Sequence, residues 1–177
     1  EQALSMRSLG RPYAPKHLKE MFHDENLDYT TIRNYRKEIM EECLQKNGIE
    51  LKKGAVELLE FLKTKNVKRA IATATDEERA RKYLKQIGLE PYFDKIICAT
   101  MVEYGKPSPD IYEYACRQLK LLPEECMAVE DSPNGVLSAY RAGCKVVMVP
   151  DQTEPEEALK EILYGCVENL LEIRKYF

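Results

Sequence analysis

A threonine, a lysine and two adjacent carboxylates fall at or between the ends of separate apolar runs in this chain, and together these residue types can manage phosphate. Thr73 closes the run Ile71-Ala72-Thr73 and is followed by Ala74 and Thr75, while Glu130 and Asp131 close the run Met127-Ala128-Val129. Between the runs lies Gly105-Lys106-Pro107-Ser108-Pro109-Asp110. A hydroxyl and the amide after it can hold phosphate oxygens, and an ammonium sets a compact positive charge beside them. One or two carboxylates are what Mg²⁺ takes from a protein when water and a substrate phosphate complete its shell. Phosphoryl transfer asks for little beyond such positioning and charge stabilisation. Each residue alone also has an ordinary reading. Thr73 suits a strand because it is β-branched, and Lys106 suits a solvated loop. Glu130-Asp131 suits a cap with surface charge, and Thr75 suits a helix N-cap first and a substrate contact second.

The elements that position these groups follow from periodicity. From residue 50 onward, helix and strand alternate. The pattern predicts a helix over 54–65, a strand over 68–75, and a helix opened by Thr75-Asp76-Glu77-Glu78 as a capping box with Thr75 at the N-cap. A strand over 95–99, a helix from Ser108-Pro109, a strand over 127–130, a helix from Ser132-Pro133 and a strand over 145–149 follow. In both Ser-Pro pairs, Ser suits the N-cap and Pro the first helical position, where no amide hydrogen is needed. Short strands apolar on both faces and set between helices predict an α/β fold, a Rossmann-like parallel sheet with helices on both faces. Ligands of such a sheet bind beyond the carboxyl ends of its strands, the edge on which Thr73, Lys106, Glu130 and Asp131 fall.

Residues 1–49 read as helices only. Leu4, Leu9, Leu18, Met21 and Phe22 are apolar anchors interrupted at Gly10-Arg11-Pro12. A longer helix over 29–46 carries the stripe Ile32, Tyr35, Ile39, Met40, Cys43 and stops at Asn47-Gly48. The expected organisation is a partial all-α domain over 1–49, packed on something else, and an α/β core over 50–177.

Composition removes whole classes. The chain has 177 residues, 27 Lys+Arg against 30 Asp+Glu, and 44% hydrophobic residues, the profile of an ordinary globular domain. A net charge of -3 lacks the basic face of a general nucleic-acid binder. No apolar run nears the ~20 residues that span a bilayer, and no secretory signal pattern is present, so neither nucleic acid nor membrane is an expected partner. The six cysteines form no C-x-x-C pair and several sit in apolar runs, which predicts core thiols and a reducing cytoplasm. His17 and His23 are six residues apart and share no helix face, so they read as surface residues. The acidic run 154–161 reads as a solvated helix start, and no G-x-G-x-x-G follows a strand.

Taken together, the stretches Ala70 to Thr75, Gly105-Lys106-Pro107-Ser108-Pro109-Asp110 and Val129-Glu130-Asp131-Ser132-Pro133-Asn134-Gly135 resemble the second, third and fourth motifs of the haloacid dehalogenase superfamily. Within it the likeness is to β-phosphoglucomutase-like phosphatases, and residues 1–49 resemble part of their helical cap. The resemblance implies that Thr73 and the Ala74 amide bind the transferring phosphoryl group and that Lys106 neutralises charge beside it. It implies Asp131 as a ligand of Mg²⁺, Glu130 as a second ligand or a neighbour of one, and Arg11 as a contact to the substrate phosphate. Replacing Lys106 by Ala is then expected to abolish turnover and leave the fold intact.

One part of the family pattern has no counterpart. Members carry an Asp-x-Asp-Gly motif whose first aspartate is the nucleophile and whose second is the acid/base, at the end of a strand lying mid-sheet. The resemblance puts that strand between those ending at Thr73 and Glu130. Asp24 and Asp28 follow no β-forming run, and the chain starts at Glu1 without Met. Either further N-terminal residues carry the strand, or the chain is truncated and inactive, completed by a partner or a second copy. The implied activity is a Mg²⁺-dependent phosphatase that works on a small phosphorylated metabolite, a sugar phosphate, through an aspartyl phosphate. The complete protein is expected to be a cytoplasmic monomer. A β-phosphoglucomutase-type transfer is the second reading, and a non-catalytic binding protein on the same scaffold is the third.

Overall fold

The computed structural model describes residues 2–177. Three helices come first: α1 (Gln2–Ser5), α2 (Tyr13–Phe22) and α3 (Tyr29–Asn47). The Asp28 carboxylate caps α3 by accepting from the Thr30 and Thr31 amides, and Gly48, at φ 74°, ends it in a conformation open to glycine. Helix α2 buries Ala14 and Leu18, whereas α3 buries nothing and its stripe of Ile32, Tyr35, Ile39 and Met40 lies exposed.

The α/β part follows as α4 (Ala55–Thr64), β1 (Ala70–Thr73), α5 (Glu77–Gln86), β2 (Lys95–Cys98), α6 (Asp110–Leu119), β3 (Met127–Glu130), α7 (Pro133–Arg141), β4 (Lys145–Met148), α8 (Glu157–Lys160) and β5 (Gly165–Cys166). All strand pairings are parallel. Strand β4 shows how the helices cover both faces. Its alternate residues Val146 and Met148 pack with Ile111 of α6 and Val136 of α7, while Val147 packs with Leu58 and Leu62 of α4. Successive strand side chains point to opposite faces, so α6 and α7 lie on one side and α4 on the other. The fold is therefore α/β, with helices on both faces.

The sheet comes in two parts. Strands β1 and β2 pair from Ala70↔Lys95 to Thr73↔Cys98, and β3, β4 and β5 form a separate three-stranded sheet. A cavity of about 1370 Å³ separates β1 from β3, with Ala72, Thr73, Val129 and Glu130 on its flanks and Leu58 and Leu62 on its floor. The facing edges of β1 and β3 have no ladder partner among the described residues.

Several local expectations are corrected. The N-cap of α5 is Asp76, not Thr75. Its carboxylate accepts from the Arg79 amide at 3.2 Å, and its charge suits a helix N-terminus better than a hydroxyl one residue earlier. Ser108 does not cap α6, which begins after Pro109. The Ser108 hydroxyl donates to Asp110 at 2.5 Å. Ser132 does cap α7, accepting from the Gly135 amide. Cys98, Cys116 and Cys144 are buried as expected, but Cys43 and Cys166 are exposed and Cys126 is half-buried. His23 is exposed, whereas His17 is partly covered and bonded to the Ser5 hydroxyl at 2.7 Å. The acidic run yields only the single turn α8. Strand β5 is two residues long, too short to leave a periodic signal.

Candidate active site

The carboxyl ends of β1 and β3 face each other across the cavity, and Lys106 spans them. It lies on the loop between β2 and α6, with only 5% of its surface exposed. Its ammonium donates to the Ala72 carbonyl on β1 at 3.1 Å and forms an ion pair with Glu130 Oε1 on β3. Two of its three N–H donors are thereby fixed and the third remains for a ligand. The Tyr112 hydroxyl of α6 donates to the same Glu130 oxygen. Burial first, and then the Glu130 charge, push the Tyr112 phenol well above its usual range, so it stays a donor. Glu130 Oε2 accepts from the Asp131 amide at 3.4 Å. A Cβ at Gly135 would collide with this carboxylate, which is why α7 carries glycine there.

Beside this pair, the Thr73 hydroxyl accepts from the Thr75 amide at 3.1 Å. An acceptor lone pair is used, and the hydroxyl proton is left to donate toward the cavity. Ala74 and Thr75 continue the same rim. Asp131 stands at the head of the Ser132-capped turn, with its side chain 47% exposed, and its Oδ2 pairs with the Arg7 guanidinium. Arg7 also donates to Asp151 at 2.9 Å, and Lys52 pairs with the other Asp151 oxygen. Hydrogen bonding from Lys52, with Arg7 adding to it, holds the Asp151 carboxyl below its usual range.

These positions bring Thr73, Ala74, Thr75, Lys106, Glu130 and Asp131 to one edge. Arg11 meets that edge through its backbone: its carbonyl accepts from the Gly105 amide at 2.6 Å, and the Gly10 amide donates to the Lys106 carbonyl at 2.8 Å. Gly10 and Gly105 touch backbone to backbone with no room for a Cβ on either. The Arg11 side chain is exposed. Arg7, which no sequence motif singles out, is the arginine whose side chain reaches the carboxylate edge.

Fitness for a cation can be judged from the donors. Mg²⁺ needs one or two carboxylates and keeps several waters. Glu130 already serves Lys106, Tyr112 and the Asp131 amide, whereas Asp131 keeps one oxygen clear of Arg7. The edge thus fits one hard cation on Asp131. No preformed group of three or more His, Cys, Asp or Glu ligands exists among the described residues. No helix among the described residues is long and apolar enough to cross a membrane.

A family model described as haloacid dehalogenase-like hydrolase matches residues 5–149. The phosphorylated carbohydrates phosphatase of Thermotoga maritima is 37% identical over 115 residues, 64% of this chain and 53% of its own length. Hexitol phosphatase A of Escherichia coli is 40% identical over 108 residues, 61% of this chain and 50% of its own. The chain spans about half the length of the curated relatives it matches. Among solved structures, a hydrolase from Pseudomonas syringae superposes with a TM-score of 0.83 at 26% identity, covering 99% of this chain and 80% of that one.

Proposed function

Because the chain belongs to the haloacid dehalogenase-like hydrolase family, we propose that it supplies the phosphate-handling edge of a Mg²⁺-dependent phosphatase acting on a small phosphorylated metabolite, a sugar phosphate. The observation that carries this reading is the span of Lys106 from Ala72 to Glu130 across the cavity. It fixes a cationic donor midway between a phosphate-binding rim and a carboxylate.

In this reading a β-strand enters the cavity between β1 and β3 and delivers an aspartate to the edge. That aspartate attacks phosphorus, the sugar oxygen leaves, and water then hydrolyses the aspartyl phosphate. Thr73 donates its free hydroxyl proton to a phosphoryl oxygen, and the Ala74 amide donates beside it. The third donor of Lys106 lies between phosphoryl group and nucleophile, where charge builds up in the transition state. Glu130 and Tyr112 keep that lysine in place. Asp131 holds Mg²⁺, which when bound offsets charge on the phosphoryl oxygens. The names of the Thermotoga maritima and Escherichia coli relatives support a phosphorylated carbohydrate as the substrate class. Hydrolysis is preferred over a mutase transfer because it needs no second sugar held in geometry.

The test is complementation. A peptide of apolar β-formers ending in Asp-x-Asp-Gly is added to the chain, and phosphate release is followed over a panel of phosphorylated sugars. Release that needs both peptide and Mg²⁺ is the expected result. A peptide that binds yet gives no phosphate from any sugar rejects the phosphatase reading, and a peptide that does not bind rejects the strand.

A further inference from the structure

The far end of the same cavity holds a group of thiols that the proposed phosphoryl chemistry leaves unused. Cys116 lies in the last turns of α6, Cys126 directly precedes β3, and Cys144 directly precedes β4. All three line the cavity at the amino ends of these strands, opposite the edge that carries Thr73 and Asp131. Cys116 Sγ and Cys144 Sγ are 3.9 Å apart, close enough for one thiol to donate to the other. Both are buried, at 4% and 7% exposure, so only a reagent as small as a peroxide is suited to them.

We propose that Cys116 and Cys144 form a peroxide-reactive thiol pair that closes to an intramolecular disulfide. The polarity of the pair assigns the roles. The hydrogen bond with Cys116 holds the Cys144 thiol below its usual range, and the same contact, with burial, pushes Cys116 up. Burial first, and then its contact with Cys116, push Cys126 up to about 12. Thiolates are the attacking species, so the lowered thiol, Cys144, takes the attacking role and Cys116, 3.9 Å away, the resolving one.

In the first step Cys144 sulfur attacks the peroxide oxygen. A sulfur–oxygen bond forms, the oxygen–oxygen bond breaks, and the departing hydroxide takes a proton to leave as water. Cys144 is then a sulfenic acid, oxidised by two electrons. In the second step Cys116 sulfur attacks Cys144 sulfur, the sulfur–oxygen bond breaks, and the released hydroxide leaves as water with the Cys116 proton. Two thiols and one hydrogen peroxide give one disulfide and two waters. A thiol reductant reverses the change.

The bridge has a path to the catalytic edge. Tyr112 and Cys116 are four residues apart on α6, so they share one face. Tyr112 donates to Glu130 while Cys116 meets Cys144. Closing the sulfurs to bonding distance draws this face of α6 toward β4.

Peptide mapping of the whole chain after hydrogen peroxide, without reduction, tests the proposal. The expected result is a linked pair of peptides carrying Cys116 and Cys144, a loss of two hydrogens per chain, and reversal by dithiothreitol. Cys126→Ser keeps the linkage, and Cys116→Ser halts Cys144 at the sulfenic acid, which a dimedone probe traps. A linkage through Cys126, or oxygen adducts without a bridge in the unaltered chain, overturns it. Because the readout is mass alone, its failure leaves the phosphatase reading intact, and the reverse also holds.

Discussion

Strands β4 and β3 are neighbours of similar composition in one sheet, yet they sit in opposite surroundings. Val147 of β4 has no exposed surface, and Val146 and Met148 beside it have almost none, because β3, β5 and helices on both faces enclose them. Val129 of β3 is 38% exposed although it lies mid-strand in an apolar run. Strand β1 repeats the pattern, partly open along its whole length, while its partner β2 is buried beyond Lys95. A strand between two others is normally the more protected one. Here the strands that flank the cavity are the more open, because their facing edges line it without a ladder partner among the described residues. Unpaired parallel edges of this kind are normally covered.

The largest expected effect lies where the two sides are tied. Lys106 is the buried cation that joins β1 to β3, and removing it leaves Glu130 charged, buried and short of its partner. Breaking such a pair costs about 3–5 kcal/mol. Lys106→Ala is therefore expected to lower the denaturation midpoint strongly, which corrects the expectation from sequence that the fold would be left intact. The double change Lys106→Met with Glu130→Gln should recover much of that loss, since both charges leave together. A midpoint unchanged in Lys106→Ala would show that the two sides are held by other contacts.

A smaller pair of effects measures the contrast directly. Val147→Ala removes two methyl groups from an enclosed site and should cost about 2 kcal/mol by lost transfer and a residual cavity. Val129→Ala removes the same atoms from an open site and should cost under about 1 kcal/mol. Urea unfolding of the two variants gives both numbers. Equal costs would mean that β3 is as enclosed as β4, and the comparison would fall.

How much of this was legible beforehand depends on the range of each interaction. The strands and most helices follow from local signals: Ile71 and Thr73 are β-branched, Ser132-Pro133 opens α7, and Gly48 closes α3. The α/β class follows from their order. Contacts between distant segments leave no such mark. Arg7 and Asp131 are 124 residues apart and Tyr112 and Glu130 are 18 apart, and neither pairing has a spacing rule. Exposure in the first segment was also illegible, because the stripe on α3 has the periodicity of a buried face and nothing among the described residues buries it. Asp76 displaced Thr75 as a cap through the charge preference of a helix start, a close competition between neighbours.

The smallest effect concerns the rim where the helical segment meets the open edge. Asp151 accepts from both Lys52 and Arg7, and Arg7 carries the link on to Asp131. The Lys52 hydrogen bond, followed by Arg7, favours the ionised form of Asp151 in the folded state and lowers its pKa. The sign follows: the stabilisation is present above the unfolded value of about 3.9 and fades as pH falls through the lower folded value. With its side chain 26% exposed and Lys52 64% exposed, the pair is partly screened and contributes under about 1 kcal/mol at pH 7. Asp151→Asn should therefore lower stability slightly at neutral pH and flatten its decline on the acid side of about pH 4. Salt should shrink the difference between the two proteins, whereas the cost of Val147→Ala, which rests on packing, should not respond to salt in the same way. An Asp151→Asn difference that persists unchanged into strong acid would place the stabilisation in packing, not in charge, and would make the rim resemble the enclosed side of the sheet.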